Sequence, residues 1–304
     1  MLTVRSWSAV RALLTEFGHE NLVIEVDRAK EISRRLEGAA VEVDEARLST
    51  ACKLTDVNVE SLVRTLKWLF DHPDLGRWTA RQLQIPGVNG KWPEKNERLI
   101  RSFIDRDLAA ELKPRLAVVH FTYVDPDYRA TGGRHHDAWT EHDAHTPAYS
   151  PKNVVIVENR DCRLHFLPMH DTIVVEGEGK AAGTLVKVDW IREADRIFYW
   201  GDLDSDGFAI LNRLRAELES RGTELESVLM DSMAWASYLH LGVNHDKEGI
   251  PLKPCSTPLP HLNGGEADCY AILASQGEKR IRRIEQERIP LGDARTELRR
   301  KLAD

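Results

Sequence analysis

The chain has 304 residues and a formal net charge of −7, which is length enough for two domains with separate cores. No apolar run approaches a membrane span and no secretory leader pattern opens the chain, while the acidic total argues against a dedicated high-affinity DNA binder, because neutralising phosphates takes Lys and Arg. Four scattered cysteines, Cys52, Cys162, Cys255 and Cys269, lack metal-ligand spacing and favour a reducing cytoplasm.

Residues 1–38 read as helices, with Ala9, Leu13, Leu14 and Phe17 on one face and Val23, Ile24, Ala29 and Ile32 continuing the pattern. Glu42 to Asp56 reads as a polar connector. Leu62, Leu66, Trp68, Leu69 and Phe70 predict a firm amphipathic helix that begins near Asn58 and stops at Asp71-His72-Pro73. Thr79 to Leu83 starts a further element, broken by Pro86-Gly87, and Pro93 opens a helix over Glu94 to Asp105. Short helices with a basic one near the end fit a winged-helix-like module at 57–114, after an N-terminal helical region at 1–56.

That module is locally basic, with Arg77, Arg81, Lys91, Lys95, Arg98, Arg101, Arg106, Lys113 and Arg115. A second basic run holds Lys279, Arg280, Arg282, Arg283, Arg288, Arg295, Arg299, Arg300 and Lys301. Each is either a DNA-backbone contact or a solvated helix face. Arg81, Lys91, Lys95, Arg98 and Arg101 are the candidate DNA-binding positions.

From 115 to 304 the pattern turns α/β. Residues 130–150, rich in His, Asp, Gly and Pro, read as a long loop. Its His135, His136, Asp137, Glu141, His142, Asp143 and His145 are of metal-ligand type but match no closed structural motif, so a solvated loop is expected. Asn153 to Val157 is an uninterrupted apolar strand ending in Glu158, and Thr172 to Val175 is a second. A third, Ile197 to Trp200, ends in Gly201 and is followed by Asp202, Asp204 and Asp206, then Gly207 and a helix from Phe208. Alternate residues share a strand face, so these carboxylates converge unless the turn splays the last one away. Sites in open parallel sheets lie at the carboxyl ends of strands, and a cluster of carboxylates there is relieved by a divalent cation. The other reading of the same residues is a solvated acidic turn. Val228-Leu229-Met230 reads as another short strand, ending in Asp231, and Glu285 and Glu287 fall on a charged helix that stops at Pro290. For Asp231, Glu285 and Glu287, direct metal binding competes with ligand orientation or capping.

A strand-terminal Glu followed by a strand-terminal Asp-x-Asp resembles the Toprim domain of topoisomerases, primases and nucleases. More narrowly, Val157-Glu158-Asn159-Arg160, Tyr199 to Asp204, Gly207 to Leu211, Leu229-Met230-Asp231 and Glu285 to Pro290 together resemble the nuclease subunit of Wadjet anti-plasmid systems, the JetD/MksG/EptD family. Arg81 to Val88, with Lys91 and Glu94, is similar to that family's central domain. There are departures. Ser205-Asp206 stand where the family carries a small residue and a His, the stretch after Val175 is charged (Glu176, Glu178, Lys180), and the family's longer N-terminal region is expected to be missing from this chain.

The resemblance implies an α/β Toprim-type nuclease domain at 115–304, with a mostly parallel sheet. It also implies a metal-dependent DNA endonuclease that works with an SMC-like ATPase, a kleisin and a small accessory subunit against plasmid DNA, as a homodimer. Asp202 and Asp204 are then expected to bind Mg²⁺ or Mn²⁺, and Glu158 either to complete that site or to relay a proton, with Asp206, Asp231, Glu285 and Glu287 as secondary ligands. Replacing Asp202 or Asp204 is expected to abolish cutting with little loss of fold. No tyrosine precedes Tyr123, which disfavours the covalent tyrosyl chemistry of topoisomerase-like or recombination-initiating enzymes and favours hydrolysis. A non-catalytic DNA clamp is the other rival, disfavoured by the intact Glu158, Asp202 and Asp204.

Overall fold

The structure is a computed structural model and describes residues 6–177, 182–255, 257–275, 277 and 280–303. Glu178, Gly179, Lys180 and Lys279, and the side chains of Val23 and Ile24, lie outside the described residues. The chain forms two compact units, Met1–Arg115 and Leu116–Asp304.

In the first unit the helices are α1 (Trp7–Glu16), α2 (Glu20–Glu37), α3 (Glu45–Cys52), α4 (Asp56–Asp71), α5 (Trp92–Lys95), α6 (Glu97–Arg101) and α7 (Leu108–Glu111). The expected polar connector holds α3. Its Asp44 accepts a hydrogen bond from the Arg47 N–H at 2.7 Å and caps the helix, while Ala51 packs into the core. Thr55 caps α4, which buries Leu62, Leu66, Trp68 and Leu69 but leaves Phe70 exposed. The single helix expected over Glu94 to Asp105 is two short ones that break at Asn96, whose side chain donates to the Trp92 carbonyl. Ile32, Leu36, Leu62, Leu66, Leu69, Ile100 and Phe103 share one core. This unit is helical, and no strand occurs among its described residues, so the β wing that a winged-helix-like module would carry is not seen among them.

The second unit is a six-stranded sheet in the order β2-β1-β4-β3-β5-β6. Its strands are β1 (Val118–Tyr123), β2 (His136–Thr140), β3 (Asn153–Val157), β4 (Thr172–Glu176), β5 (Arg196–Trp200) and β6 (Leu225–Ser227). β4, β3, β5 and β6 run parallel, and β1 joins antiparallel between β4 and β2. β3 pairs with both β4 and β5, so Val155 sits between Val174 and Phe198. A central parallel strand has both faces covered, which is why Val154 to Val157 are all apolar and all buried. The helices of this unit are α8 (Pro126–Ala130), α9 (Arg160–Leu164), α10 (Ala182–Leu185), α11 (Asp189–Arg192), α12 (Ser205–Glu219), α13 (Ser232–Tyr238), α14 (Gly264–Ala274) and α15 (Leu291–Ala303).

Three expectations are corrected here. The His-rich 130–150 segment contains β2, an edge strand held by its register with β1. There Asp137 accepts hydrogen bonds from the Tyr123 hydroxyl (3.1 Å) and from His145 Nε2 (3.0 Å), so this acid serves the sheet edge. Residues 228–230 are not a strand: β6 ends at Ser227, Leu229 has φ +52°, and Asp231 caps α13 by accepting from the Ala234 N–H at 2.8 Å. Glu285 precedes and Glu287 lies within a short 3₁₀ turn, Gln286–Arg288, rather than on a longer regular helix, and the residue that turns inward is Gln286.

Candidate active site

Glu158 directly follows β3, and Asp202 and Asp204 follow β5, so two neighbouring parallel strands deliver the three carboxylates at their carboxyl ends. The backbone N–H of Asp202 donates to Glu158 Oε2 at 3.2 Å, and the buried Tyr199 hydroxyl donates to the same oxygen at 3.3 Å. Two glycines make this packing feasible. A Cβ on Gly201 would lie 2.5 Å from the Tyr199 hydroxyl oxygen and 2.9 Å from Glu158 Oε2, and one on Gly207 would lie 2.1 Å from the Asp202 carbonyl oxygen.

Asp204 is buried and caps α12: its Oδ1 accepts from the N–H groups of Asp206 (2.9 Å) and Gly207 (2.8 Å). Its Oδ2 accepts from Arg283 Nε at 2.6 Å. The turn does splay the last acid away, and Asp206 is exposed in the first turn of α12.

A strap formed by residues 282–286 closes one side. Leu203 and Ile284 form an antiparallel bridge, and so do Val243 and Arg283. The Gln286 backbone N–H donates to Asp202 Oδ1 at 2.8 Å. Its buried side chain donates to the Trp200 carbonyl (2.7 Å) and accepts from the Asn159 N–H (2.7 Å), tying the ends of β3 and β5 together. Nothing in the local pattern around Gln286 and Arg283 announces partners about eighty residues earlier, so the sequence does not place either beside the carboxylates. The second basic run, open between a DNA-backbone contact and a solvated face, is partly structural: Arg282 is buried on the carbonyls of Leu273, Ser275 and Gly277, and Arg283 is ion-paired.

The electrostatics are those of crowded, under-compensated acids. Burial, and then the charges of Glu158, Asp204 and Glu287, push the Asp202 carboxyl up to about 7 against the Gln286 N–H bond that favours ionisation. Burial and the neighbouring Asp204 likewise raise Glu158. The donor set is all oxygen and predominantly anionic, the chemistry that suits Mg²⁺ or Mn²⁺.

Among the described residues, the group whose three ligand atoms lie within 4.8 Å of one another is Asp125, Asp127 and His170; Glu158, Asp202 and Asp204 do not form such a group. The Asp125 group is compatible with a divalent cation. It lies at the end of β1, which runs antiparallel to β4, and so on the opposite rim of the sheet from Glu158. There the Asp125 carboxylate already accepts from the N–H groups of Asp127 (2.8 Å), Tyr128 (3.0 Å) and Asp171 (2.5 Å).

In the first unit, Lys91, Lys95, Arg98 and Arg101 are exposed on or beside α5 and α6. Trp92 Nε1 donates to Asn58 Oδ1 at 2.9 Å and pins that region to α4. Arg81 is paired with Glu94 at 2.5 Å, and Arg106 with Glu111, so these two are partly engaged within the unit. No helix among the described residues is long and apolar enough to cross a membrane.

Residues 111–298 match the family model described as Wadjet protein JetD, C-terminal. Residues 6–105 match that described as uncharacterized protein conserved in bacteria N-term (DUF3322). No curated protein matches the chain.

Proposed function

The chain belongs to the Wadjet JetD family, and from that premise we propose that it is the divalent-metal-dependent DNA endonuclease subunit of an SMC-like plasmid defence complex. Family membership suggests the defence role. The observation that carries the chemistry is the placement of Glu158, Asp202 and Asp204 at the adjacent carboxyl ends of β3 and β5, with Arg283 bonded to Asp204.

Asp202 and Asp204 would hold Mg²⁺ or Mn²⁺, and Glu158 would either complete the set or accept a proton. When bound, a divalent cation activates water and neutralises charge on the phosphodiester. Glu158 is held by the Asp202 N–H and the Tyr199 hydroxyl, and burial raises it above the usual carboxylate range, which makes its carboxylate a stronger base. Gln286 keeps Asp202 oriented and the ends of β3 and β5 at fixed separation.

Lys91, Lys95, Arg98 and Arg101 supply phosphate contacts without sequence preference, so selection of plasmid DNA falls to the partner complex: an SMC-like ATPase, a kleisin and an accessory subunit. In a homodimer each protomer would cut one strand. Tyr123 is wholly buried against Asp137, which supports hydrolysis over tyrosyl attack. The test is cleavage of circular double-stranded DNA by the purified chain. Nicked or linear product is expected with Mn²⁺ or Mg²⁺ and none in EDTA or with Asp202→Ala; undiminished cutting in EDTA refutes the assignment.

A further inference from the structure

Asp204 has little coordination capacity to spare. Its Oδ1 is occupied by two helix N–H groups, and its Oδ2 by the guanidinium of Arg283 at 2.6 Å. Asp204 is buried and Arg283 half-buried, so water screens this contact less than it would one at the surface. Arg283 is not a flexible surface residue that happens to lie there. Its N–H donates to the Val243 carbonyl at 3.1 Å, its carbonyl accepts from the Val243 N–H at 2.8 Å, and the next residue exchanges backbone bonds with Leu203. The strap therefore aims a permanent cation at the oxygen that Asp204 would offer a metal. Arg283 also lines a cavity of about 180 Å³ with Asp204, Asp206 and Lys253, which leaves the guanidinium space to withdraw into.

We propose that Arg283 is a positioning residue that acts as a built-in competitor for the divalent cation: it occupies Asp204 Oδ2 in the metal-free protein and must give up that oxygen when the metal is held. This rests on the assignment of Asp202 and Asp204 as metal ligands. Displacement couples metal loading to a movement of Arg283. A charge-assisted bond of this kind is worth enough to weaken metal binding by roughly tenfold.

The experiment is Mn²⁺ titration of the full chain without DNA, following the free-ion electron paramagnetic resonance signal, with wild type, Arg283→Gln, Arg283→Lys and Asp202→Ala. Arg283→Gln removes the competing charge, so it should bind Mn²⁺ roughly tenfold more tightly, and its melting temperature should rise more on adding Mn²⁺ than that of wild type. Arg283→Lys keeps the charge and should stay near wild type. A purely structural Arg283 would give weaker binding in both variants, and that result, or an unchanged constant in Arg283→Gln, overturns the inference. If Asp202→Ala binds Mn²⁺ like wild type, the metal site itself falls and takes this inference with it. If Asp202→Ala loses binding while Arg283→Gln fails to gain it, the inference alone falls. Far-ultraviolet circular dichroism of each variant in EDTA verifies that it is folded.

Discussion

Asp202 and Asp204 should respond oppositely to loss of charge. Asp202 is a carboxyl moved from its ordinary 3.8 to about 7, mainly by burial. At about 1.4 kcal/mol per pH unit, holding it ionised in the folded state costs on the order of 4 kcal/mol. The sign follows from the raised value: below about pH 4 the group is protonated whether folded or not, the cost grows as pH climbs towards 7, and above that it is complete. Asp202→Asn removes the charge yet keeps an oxygen for the Gln286 N–H. In EDTA at pH 8 it should therefore unfold at higher urea than wild type, and the gap should shrink steadily towards pH 4.5. Asp204→Ala should do the reverse, because it removes the α12 cap and strands Arg283 in a half-buried position, a loss of roughly 3–5 kcal/mol. The expectation that either acid can be replaced with little loss of fold is thus kept for Asp202 and withdrawn for Asp204. An Asp202→Asn variant no more stable than wild type at pH 8 would refute the strain attributed to Asp202.

Three further outcomes follow from the geometry. Glu266 is buried in a two-pronged ion pair with Arg215, at 2.5 and 2.7 Å; burial pushes its carboxyl up, but Arg215, Ser227 and the Asn263 N–H outweigh that and hold it below the ordinary value. Its stabilisation is present above the ordinary carboxylate range and is lost as pH falls through the lowered value, so acid unfolding of Glu266→Gln should be shallower than that of wild type. Charge reversal of Lys95 and Arg98 together should weaken duplex binding on all sequences and flatten the salt dependence by about two units of slope, read by fluorescence anisotropy; binding equal to wild type at low salt would discount those positions. Detergent-quenched reactions should show no protein joined to DNA ends on denaturing gels, and a stable adduct would restore tyrosyl chemistry.

Much of the candidate site was legible because it is local. Val154 to Glu158 and Ile197 to Asp204 carry both strand and acid in a few residues, and the pattern of covered parallel strands is written in unbroken Val and Ile. What escaped has two physical origins. Some signals were ambiguous: β2 is an edge strand whose His and Asp composition mimics a loop, and α3 is short with a polar face. Asp231 shows that an acid after an apolar run can equally be a helix cap, and the Ser232-Met233-Ala234 that follows it is the better clue. The other origin is distance. Gln286, Arg283 and the Arg215–Glu266 pair draw their roles from partners tens of residues away, which periodicity does not encode.

The Gln286 clasp also sets an order of events. The Asn159 N–H that it receives lies 127 residues earlier in the chain. During synthesis the β3 and β5 segments emerge well before residues 283–286, and contacts of such long sequence separation form late because loop closure must be paid first. Glu158, Asp202 and Asp204 therefore exist for a time without the residue that spaces their strands and without the arginine that occupies Asp204. A nascent or prematurely ended chain lacks the strap's bonds to Asp202, Asp204 and the Trp200 carbonyl, so on the proposed function the site is complete only once the strap has docked.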